Sequence, residues 1–257
     1  MEKSIHSLDQ HFNLPSIRNV ETSRPLAWLN AGWSDMRSNL AASLSYGLAL
    51  SIIGYLILSY AAELPYLFTA AISGFFLVGP LAAAGLYEIS RQHESGGKPS
   101  FTQSFAGLRK EGESLMFFGL FLAFVLISWE RISAILFALF FKGNLPDLHN
   151  FARTVLLSGE HLQFVVVYML IGGALAAMVF ALSVVAIPML LDRKVDVITA
   201  MMTSLRAVAQ NPGPMLVWAA LIIAFIAIGF ATMMLGMVIL LPLLGHATWH
   251  AYKDIVQ

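Results

Sequence analysis

Two histidines near the end of the chain, His246 and His250, have the residue type and spacing to bind a metal. Residues four apart lie on one face of an α-helix, and imidazole is a common ligand of zinc and of haem iron. Two ligands do not complete a site, and candidates for the others are Glu88, His93, Glu94 and Asp254. The competing interpretation is that both rings anchor a helix at the cytoplasmic membrane interface, beside Trp249 and Tyr252. We therefore predict no cofactor, with metal or haem binding as the alternative.

Glu130 and Arg131 interrupt a long apolar run that begins near Leu115. At 1.5 Å per residue, Arg131 lies about 24 Å along a helix that starts there. Ionisable groups at such depth are functional by default in membrane proteins. The alternative is that the spanning part ends here, so that Arg131 extends to the outer surface and residues 132–141 lie along the interface. Glu63 is a candidate partner.

Other polar groups and breaks recur along the chain. Arg37, Arg109 and Arg206 each close an amphipathic stretch and could line a pathway for an anion. Prolines inside apolar runs free a backbone carbonyl one turn earlier, and such kinks line substrate sites in some transporters. The candidate kinks are Pro80, Pro188 and Pro242.

Several kinds of chemistry have no residues to support them. The chain has no cysteine, which excludes disulfides, thiolate catalysis and iron–sulfur clusters. It contains no Walker motif, no GxSxG and no HExxH. We predict no catalytic residue and favour a non-enzymatic protein.

The elements that carry these residues are membrane helices. Hydrophobic residues make up 58% of the 257 residues and charged residues 12%, whereas soluble domains carry about 25% charged residues. About 20 apolar residues in a helix cross a bilayer. The apolar runs are 40–62, 66–87, 115–141, 162–191 and 212–252, the last long enough for two helices with a tight turn near Met233 to Gly236. The sequence thus predicts an all-α bundle of about six transmembrane helices, and a pair of half-membrane helices is the alternative for the last run.

The six helices follow a repeating order. Residues 1–24 form a polar lead that we predict to be disordered, and residues 25–257 form one membrane domain. Three units then recur, each with a short amphipathic interfacial helix, an outgoing helix and a return helix that contains a proline. In the first amphipathic stretch Leu26, Leu29, Trp33 and Met36 share one face, with Asp35 placed elsewhere. The units have one orientation, so we predict three same-sense hairpins.

Charge sets the orientation of the bundle. Positive residues concentrate on the cytoplasmic side of membrane proteins. The lead, the polar linkers and the C-terminus hold nearly all the basic residues, and the opposite side has Lys142 and Arg153. Both termini are therefore predicted to be cytoplasmic. A formal net charge of zero gives no indication of a nucleic-acid partner.

Four stretches carry a resemblance to a known family. They are Arg24-Pro25-Leu26-Ala27-Trp28-Leu29 with Gly32-Trp33, Gly79-Pro80 with Gly85-Leu86-Tyr87-Glu88, Asn211-Pro212-Gly213-Pro214-Met215, and Pro242-Leu243-Leu244-Gly245-His246-Ala247-Thr248-Trp249-His250-Ala251-Tyr252. Together they resemble the bacterial integral membrane proteins known as domain of unknown function 2189, over roughly residue 24 to the C-terminus. The resemblance implies a multi-pass protein of the bacterial inner membrane. The family has no established activity, so no residue role is carried over.

Three functional hypotheses follow. The first is an accessory or assembly component that packs against other inner-membrane proteins in a larger complex, such as a respiratory one. The second is a channel or carrier for a small solute or anion. The third is a metal or haem protein centred on His246 and His250.

Overall fold

A computed structural model describes residues 14–61, 65–97, 100–141, 155 and 159–257. Most of these residues are helical, and the only β-type pairing among them is an isolated bridge between Ile17 and Val256. The helices are α1 (Arg24–Ser38), α2 (Leu40–Ala61), α3 (Pro65–Ala82), α4 (Ala84–Glu94), α5 (Phe101–Lys110), α6 (Gly112–Phe141), α7 (Leu162–Ser183), α8 (Ala186–Asp192), α9 (Val197–Gln210), α10 (Pro212–Ala231) and α11 (Met237–Ile255).

The short amphipathic helices begin at residues that favour helix starts. Pro25 lies in the first turn of α1, where its missing N–H costs no hydrogen bond. Ser100 caps α5 by accepting from the Gln103 N–H at 3.3 Å, and Asp196 caps α9 by accepting from the Thr199 N–H at 2.9 Å. Helices are therefore present at the three predicted amphipathic stretches, as α1, α5 and α9, and their place at the membrane interface stays a prediction.

Four helices are long and apolar enough to cross a membrane: Leu40–Ala61, Gly112–Phe141, Leu162–Asp192 and Pro212–Ala231. The all-helical membrane architecture is thus confirmed at four candidate spans in the described residues. The predicted six spans would add the return helices α3–α4 and α11. Six spans and the hairpin arrangement stay predictions.

The closing apolar run folds into two helices. A tight turn over residues 232–236 joins α10 and α11, with Met233 and Met234 in the left-handed region at φ 49° and 70°. Thr232 Oγ1 accepts from the Gly236 N–H at 2.9 Å and ends the turn. The helices have 20 and 19 residues, or about 30 Å each. A pair of half-membrane helices would be about half that length, so these lengths favour two full spans, and a span at α11 stays a prediction.

Contacts divide the chain into two compact units. The first unit contains residues 14–51, 80–118 and 181–257, and the second contains residues 52–79 and 119–180.

The first unit has an inner and an outer layer. Helices α4, α8 and α11 contact one another and form the inner layer, with Leu86, Ile89, Ile187 and Met189 fully buried there. Each amphipathic helix packs on one inner helix: α1 on α11, α5 on α4 and α9 on α8. Each outer helix thus contacts the return helix of the preceding predicted unit, in cyclic order.

The second unit is held mainly by rings on α6 and α7. Trp129 and Phe137 of α6 make edge contacts with Tyr168 and Phe164 of α7, at centroid distances of 5.0 Å and 4.9 Å. Gly172 lies opposite Trp129, where a Cβ would come within 2.8 Å of the ring. Small residues of this kind let membrane helices approach closely.

The predicted disordered lead covers residues 1–24, of which 1–13 lie outside the described residues. Residues after Asn13 lie against the C-terminus. The Arg18 N–H donates to the Ile255 carbonyl at 2.8 Å, and the Gln257 N–H donates to the Ser16 carbonyl at 3.0 Å. Asn211 accepts from the Val20 N–H at 2.8 Å. The two ends of the described chain therefore lie next to each other.

Candidate functional site

Helix α11 carries the closing block, residues Gly245 to Tyr252, at the centre of the first unit. His246, Trp249 and Tyr252 are completely buried. Burial on this scale follows from the position of α11 between α1, α4 and α8. The block is thus an interior element, and the His246 ring is packed inside the protein rather than against lipid headgroups.

A chain of hydrogen bonds runs through His246. Its Nε2 lies 2.8 Å from Ser43 Oγ on α2, and its Nδ1 lies 2.7 Å from Ser90 Oγ on α4. Ser90 donates to Asp35 Oδ2 on α1 at 2.7 Å. We call Asp35, Ser90, His246 and Ser43 the polar chain. It ties together four helices that are far apart in sequence.

The acceptor at one end fixes every proton in the polar chain. A carboxylate only accepts, so the Ser90 hydroxyl gives its proton to Asp35 and must accept from His246. With a neutral imidazole, the proton then lies on Nδ1, and Nε2 accepts from the Ser43 hydroxyl. Both ring nitrogens of His246 are used in this way, which leaves neither free to ligate a metal.

Asp35 is the charged end of the polar chain. Its carboxylate lies 2.9 Å from His250 Nε2, and His93 Nε2 lies 3.9 Å away. Burial alone would raise the pKa of Asp35, but the hydrogen bonds from His250 and Ser90 outweigh it and hold that pKa below its ordinary value. His250 is half-buried, so this end of the chain reaches the edge of the unit.

Glycines allow the helices to come this close. A Cβ on Gly32 of α1 would lie 2.6 Å from the Ala247 nitrogen of α11, and one on Gly47 of α2 would lie 2.1 Å from the Val238 carbonyl oxygen. That carbonyl has no helical partner because Pro242, four residues later, has no N–H. Gly47 therefore packs against the Val238 carbonyl oxygen, which Pro242 leaves without a hydrogen bond within the helix.

Two further clusters fix the end of α11. Asp254 accepts from Arg24 Nε at 2.7 Å and from Trp28 Nε1 at 2.9 Å, and it also pairs with Arg18. Burial would raise the pKa of Asp254, and the Arg24 and Trp28 hydrogen bonds lower it below the usual value.

The second of these clusters involves Tyr252. Its hydroxyl donates to Asp192 at 2.7 Å and accepts from Arg193 Nε at 3.0 Å. Asp192 is the last residue of the inner helix α8 and Arg193 follows it, so this contact joins two helices of the inner layer.

The further metal ligands considered from the sequence are engaged elsewhere. Glu88 pairs with Arg91 at 2.7 Å, Glu94 accepts from Trp249 Nε1 at 3.2 Å, and Asp254 binds arginine. No group of three or more His, Asp or Glu side chains in the described ranges could hold a metal.

The candidate kink prolines differ from one another. Pro188 follows a break at residues 184–185, where its missing N–H would have bonded one turn earlier. Pro80 lies inside α3, and the helix is interrupted three residues later, at Ala83. Pro242 lies inside an uninterrupted α11. None of the three contacts a residue of the polar chain through a hydrogen bond, and Pro242 packs against Gly47, four residues after Ser43 on α2.

The three arginines do not gather at the polar chain. Arg37 and Arg109 are exposed on the outer helices, and Arg206 is half-buried. Arg37 lies over the Trp33 ring at 5.0 Å. All three arginines lie on the outer helices of the first unit.

Glu130 and Arg131 lie in the second unit, on a helix that continues unbroken to Phe141. Residues 132–141 therefore extend α6, and the proposed interfacial segment there is wrong. Arg131 is exposed and pairs with Glu130 at 3.3 Å. Glu63 lies outside the described residues.

Several of the larger apolar residues of the outer helices are exposed, namely Leu26, Trp33, Phe105, Ile198 and Leu205, whereas Trp28 and Met36 of α1 are buried. Small and polar residues face the inner layer, namely Gly32 and Asp35 on α1, Ser104 on α5, and Thr199, Thr203 and Ser204 on α9. An outward apolar face is what a helix lying in the membrane interface needs.

Sequence reasoning missed Asp35, Ser43 and Ser90. Asp35 lies three residues after Gly32 and seven after Trp28, so the three share one helix face. That spacing was a usable signal. Nothing in the sequence singles out Ser43 or Ser90 from other serines.

One family model matches the chain. Its description is "Predicted integral membrane protein (DUF2189)", and it matches residues 67–192. The match includes Gly79-Pro80 and residues 85–88 and confirms the resemblance, while the closing block lies beyond it. No curated protein and no solved structure matches.

Proposed function

We propose that this chain, of which residues 67–192 match the model of a family of predicted integral membrane proteins (DUF2189), acts as a non-enzymatic accessory or assembly component of a larger membrane complex. We place it in a bacterial inner membrane, with six spans in three repeated hairpins and both termini cytoplasmic.

The inner layer of the first unit carries this proposal. Its helices meet through side chains that have no exposure, including Leu86, Ile89 and Ile187. The polar atoms around it are used in contacts between helices, as the polar chain and the Asp254 cluster illustrate. Ser43 and His246 are completely buried, so a substrate cannot reach them as nucleophile and base. Such a layer favours a scaffold over a catalyst or a pore.

The repeat has support from the packing order. Gly32, Gly107 and Ser204 each lie where an outer helix touches its inner helix. Gly107 makes room for the Glu88 carboxylate, and Ser204 accepts from the Val185 N–H at 3.2 Å. Three small residues at corresponding contacts are what a repeated unit would produce. Arg37, five residues after Gly32, does not correspond to Arg109 and Arg206, which follow their small residues by two.

Pull-down of the tagged full chain from its native membrane in mild detergent tests the proposal. We expect a co-purifying membrane protein that is lost when exposed apolar residues of the outer helices are made polar, for example with Ile198→Asn. The matched control is Lys194→Asn, between the inner and outer helices. A pure sample with no partner would contradict the accessory role.

A second candidate is a proton-linked carrier for a small solute or anion. The polar chain favours it, because hydrogen bonds connect the half-buried His250 with the buried Ser43, and such chains can pass protons. Liposomes with an internal pH dye test it. We expect flux that Ser43→Ala abolishes and Ser45→Ala preserves. Flux no greater than in empty liposomes removes this candidate.

A metal or haem role for His246 and His250 has less support. Both ring nitrogens of His246 bond to serine, and His250 bonds to Asp35. Absorbance and elemental analysis of the purified chain test it directly, and bound metal or haem would revive that role.

A further inference from the structure

Helix α6 presents a regular exposed stripe in the second unit. Leu120, Phe124 and Ile127 are 60%, 70% and 62% exposed, and the Arg131 side chain is 76% exposed. We call these four residues the α6 seam. Their spacing of four, three and four residues is the heptad spacing of helices that pack in parallel pairs.

The seam continues beyond Arg131 with small residues. Three and seven positions later come Ala134 and Ala138, which keep the same three-and-four spacing. Small residues let two membrane helices approach closely. The opposite face of α6, with Trp129 and Ser133, is buried against α7.

The Arg131 guanidinium in the seam needs hydrogen-bond acceptors. A charged side chain on the lipid-facing side of a long apolar helix is costly unless it is paired. Within the described part of the chain, its partner is the adjacent Glu130 at 3.3 Å. One oxygen contact leaves most of the five guanidinium N–H donors without acceptors.

We propose that the α6 seam is the interface of a homodimer, with α6 of one copy parallel to α6 of the second. A two-fold axis along the membrane normal brings identical residues to the same depth. If Arg131 is at heptad position a, Glu130 is at position g, beside the position a residue of the partner helix. Glu130 of each copy then pairs with Arg131 of the other.

Charge complementarity selects a second copy as the occupant. Arg131 of the seam and the adjacent Glu130 place one positive and one negative side chain at one depth, so this surface complements itself under two-fold symmetry. A single polar residue at position a also fixes the register and the number of helices in such pairs. The inference does not depend on the accessory role proposed above.

The chain has no cysteine, which makes disulfide crosslinking in native membranes a direct test. We expect Ile127→Cys to give a covalent dimer on mild oxidation. The matched control is Leu170→Cys on α7, where the exposed apolar side chain lies near the depth of Trp129, and it should stay monomeric. Equal yields from the two variants would overturn the proposal.

A charge swap in the Ile127→Cys background tests the pairing itself. Arg131→Glu should lower the dimer yield about tenfold, because two polar contacts between helices become repulsive. Adding Glu130→Arg should restore it, since the pair is only reversed. An unchanged yield in the single variant, or no recovery in the double variant, would overturn the proposal.

Two further results would distinguish this inference from the accessory role. Crosslinking of Ile127→Cys to a different protein would overturn the homodimer and support the accessory role. A homodimer with no other co-purifying protein would do the reverse. If Arg131→Glu fails to insert, the Ile127 and Leu170 crosslinks decide the question.

Discussion

The first unit adds hydrogen bonds between side chains of distant helices to its apolar inner layer, whereas the second unit is held mainly by ring packing. In the first unit His246 bonds to Ser43 and Ser90 at 2.8 Å and 2.7 Å. In the second, Phe137 and Phe164 meet at 4.9 Å between ring centroids. Hydrogen bonds depend on direction and leave costly unpaired atoms when broken, whereas apolar packing tolerates small shifts. The two units should therefore respond differently to similar substitutions.

Replacing one glycine by alanine in each unit should give the largest difference in stability between the two variants. Gly47→Ala places a Cβ 2.1 Å from the Val238 carbonyl oxygen, and Gly172→Ala places one 2.8 Å from the Trp129 ring. Backbone cannot move aside but a ring edge can, so we expect losses of about 3 and about 1 kcal/mol in unfolding free energy. Denaturant titration in one mild detergent measures both.

Gly173→Ala is the matched control for these glycines. No atom lies within 4 Å of a Cβ there, and alanine favours helix by up to about 1 kcal/mol over glycine. Stability should stay unchanged or rise. The contrast between the units would be lost if Gly47→Ala were as well tolerated as Gly173→Ala.

Breaking the polar chain at its middle should have the next largest effect. Ser90→Ala removes the donor to Asp35 and the acceptor for His246 Nδ1. His246 Nδ1 then lacks a partner and Asp35 keeps only its contacts with histidines, so we expect a loss of about 2 kcal/mol. Ser45→Ala removes a hydroxyl that bonds only within its own helix at an exposed position and should be neutral. Thermal unfolding of the pair measures the difference, and equal stability would argue against a structural role for the chain.

The same tyrosine change in each unit gives a smaller and direct comparison. Tyr252→Phe in the first unit removes bonds to Asp192 and Arg193, and hydrogen bonds to charged groups contribute about 1.5–3 kcal/mol. Tyr168→Phe in the second unit removes one bond to Ser133 at 3.0 Å, a neutral pair that contributes about 1 kcal/mol. Under one set of conditions, the Tyr168→Phe variant should be more stable than the Tyr252→Phe variant. The opposite order would contradict this account.

The helices themselves followed from hydropathy. The apolar run 40–62 predicted α2 within a residue, and the position of the last turn near Met233 was confirmed. Both depend on local composition, since a bilayer requires a fixed length of apolar helix. The break of the second run at Ala83 was not predicted, because Pro80 pointed to a different place for it.

The candidate site could be predicted only in part, for a physical reason. Periodicity found the two faces of α1, but a membrane supplies an apolar surface on the outside. The face with Leu26 and Trp33 therefore points outward, and Asp35 points inward. Contacts between residues far apart in sequence, such as His246 with Ser43, are set by helix packing, which one sequence does not specify.

Acid should weaken the first unit through its buried carboxylates, and this effect should be absent near neutral pH. The pKa of Asp35 is lower in the folded chain than its ordinary value of 3.8. Between the folded pKa and 3.8 the unfolded chain binds more protons, so stability falls as pH falls through that window. The contribution of Asp35 to the melting temperature should change little between pH 7 and about pH 5, and should fall below about pH 4.

Asp35→Asn removes this group, so the melting temperature of that variant should fall less between pH 4 and pH 3 than that of the wild type. A wild-type acid dependence unchanged by Asp35→Asn would mean that the ionised end of the polar chain does not stabilise the first unit.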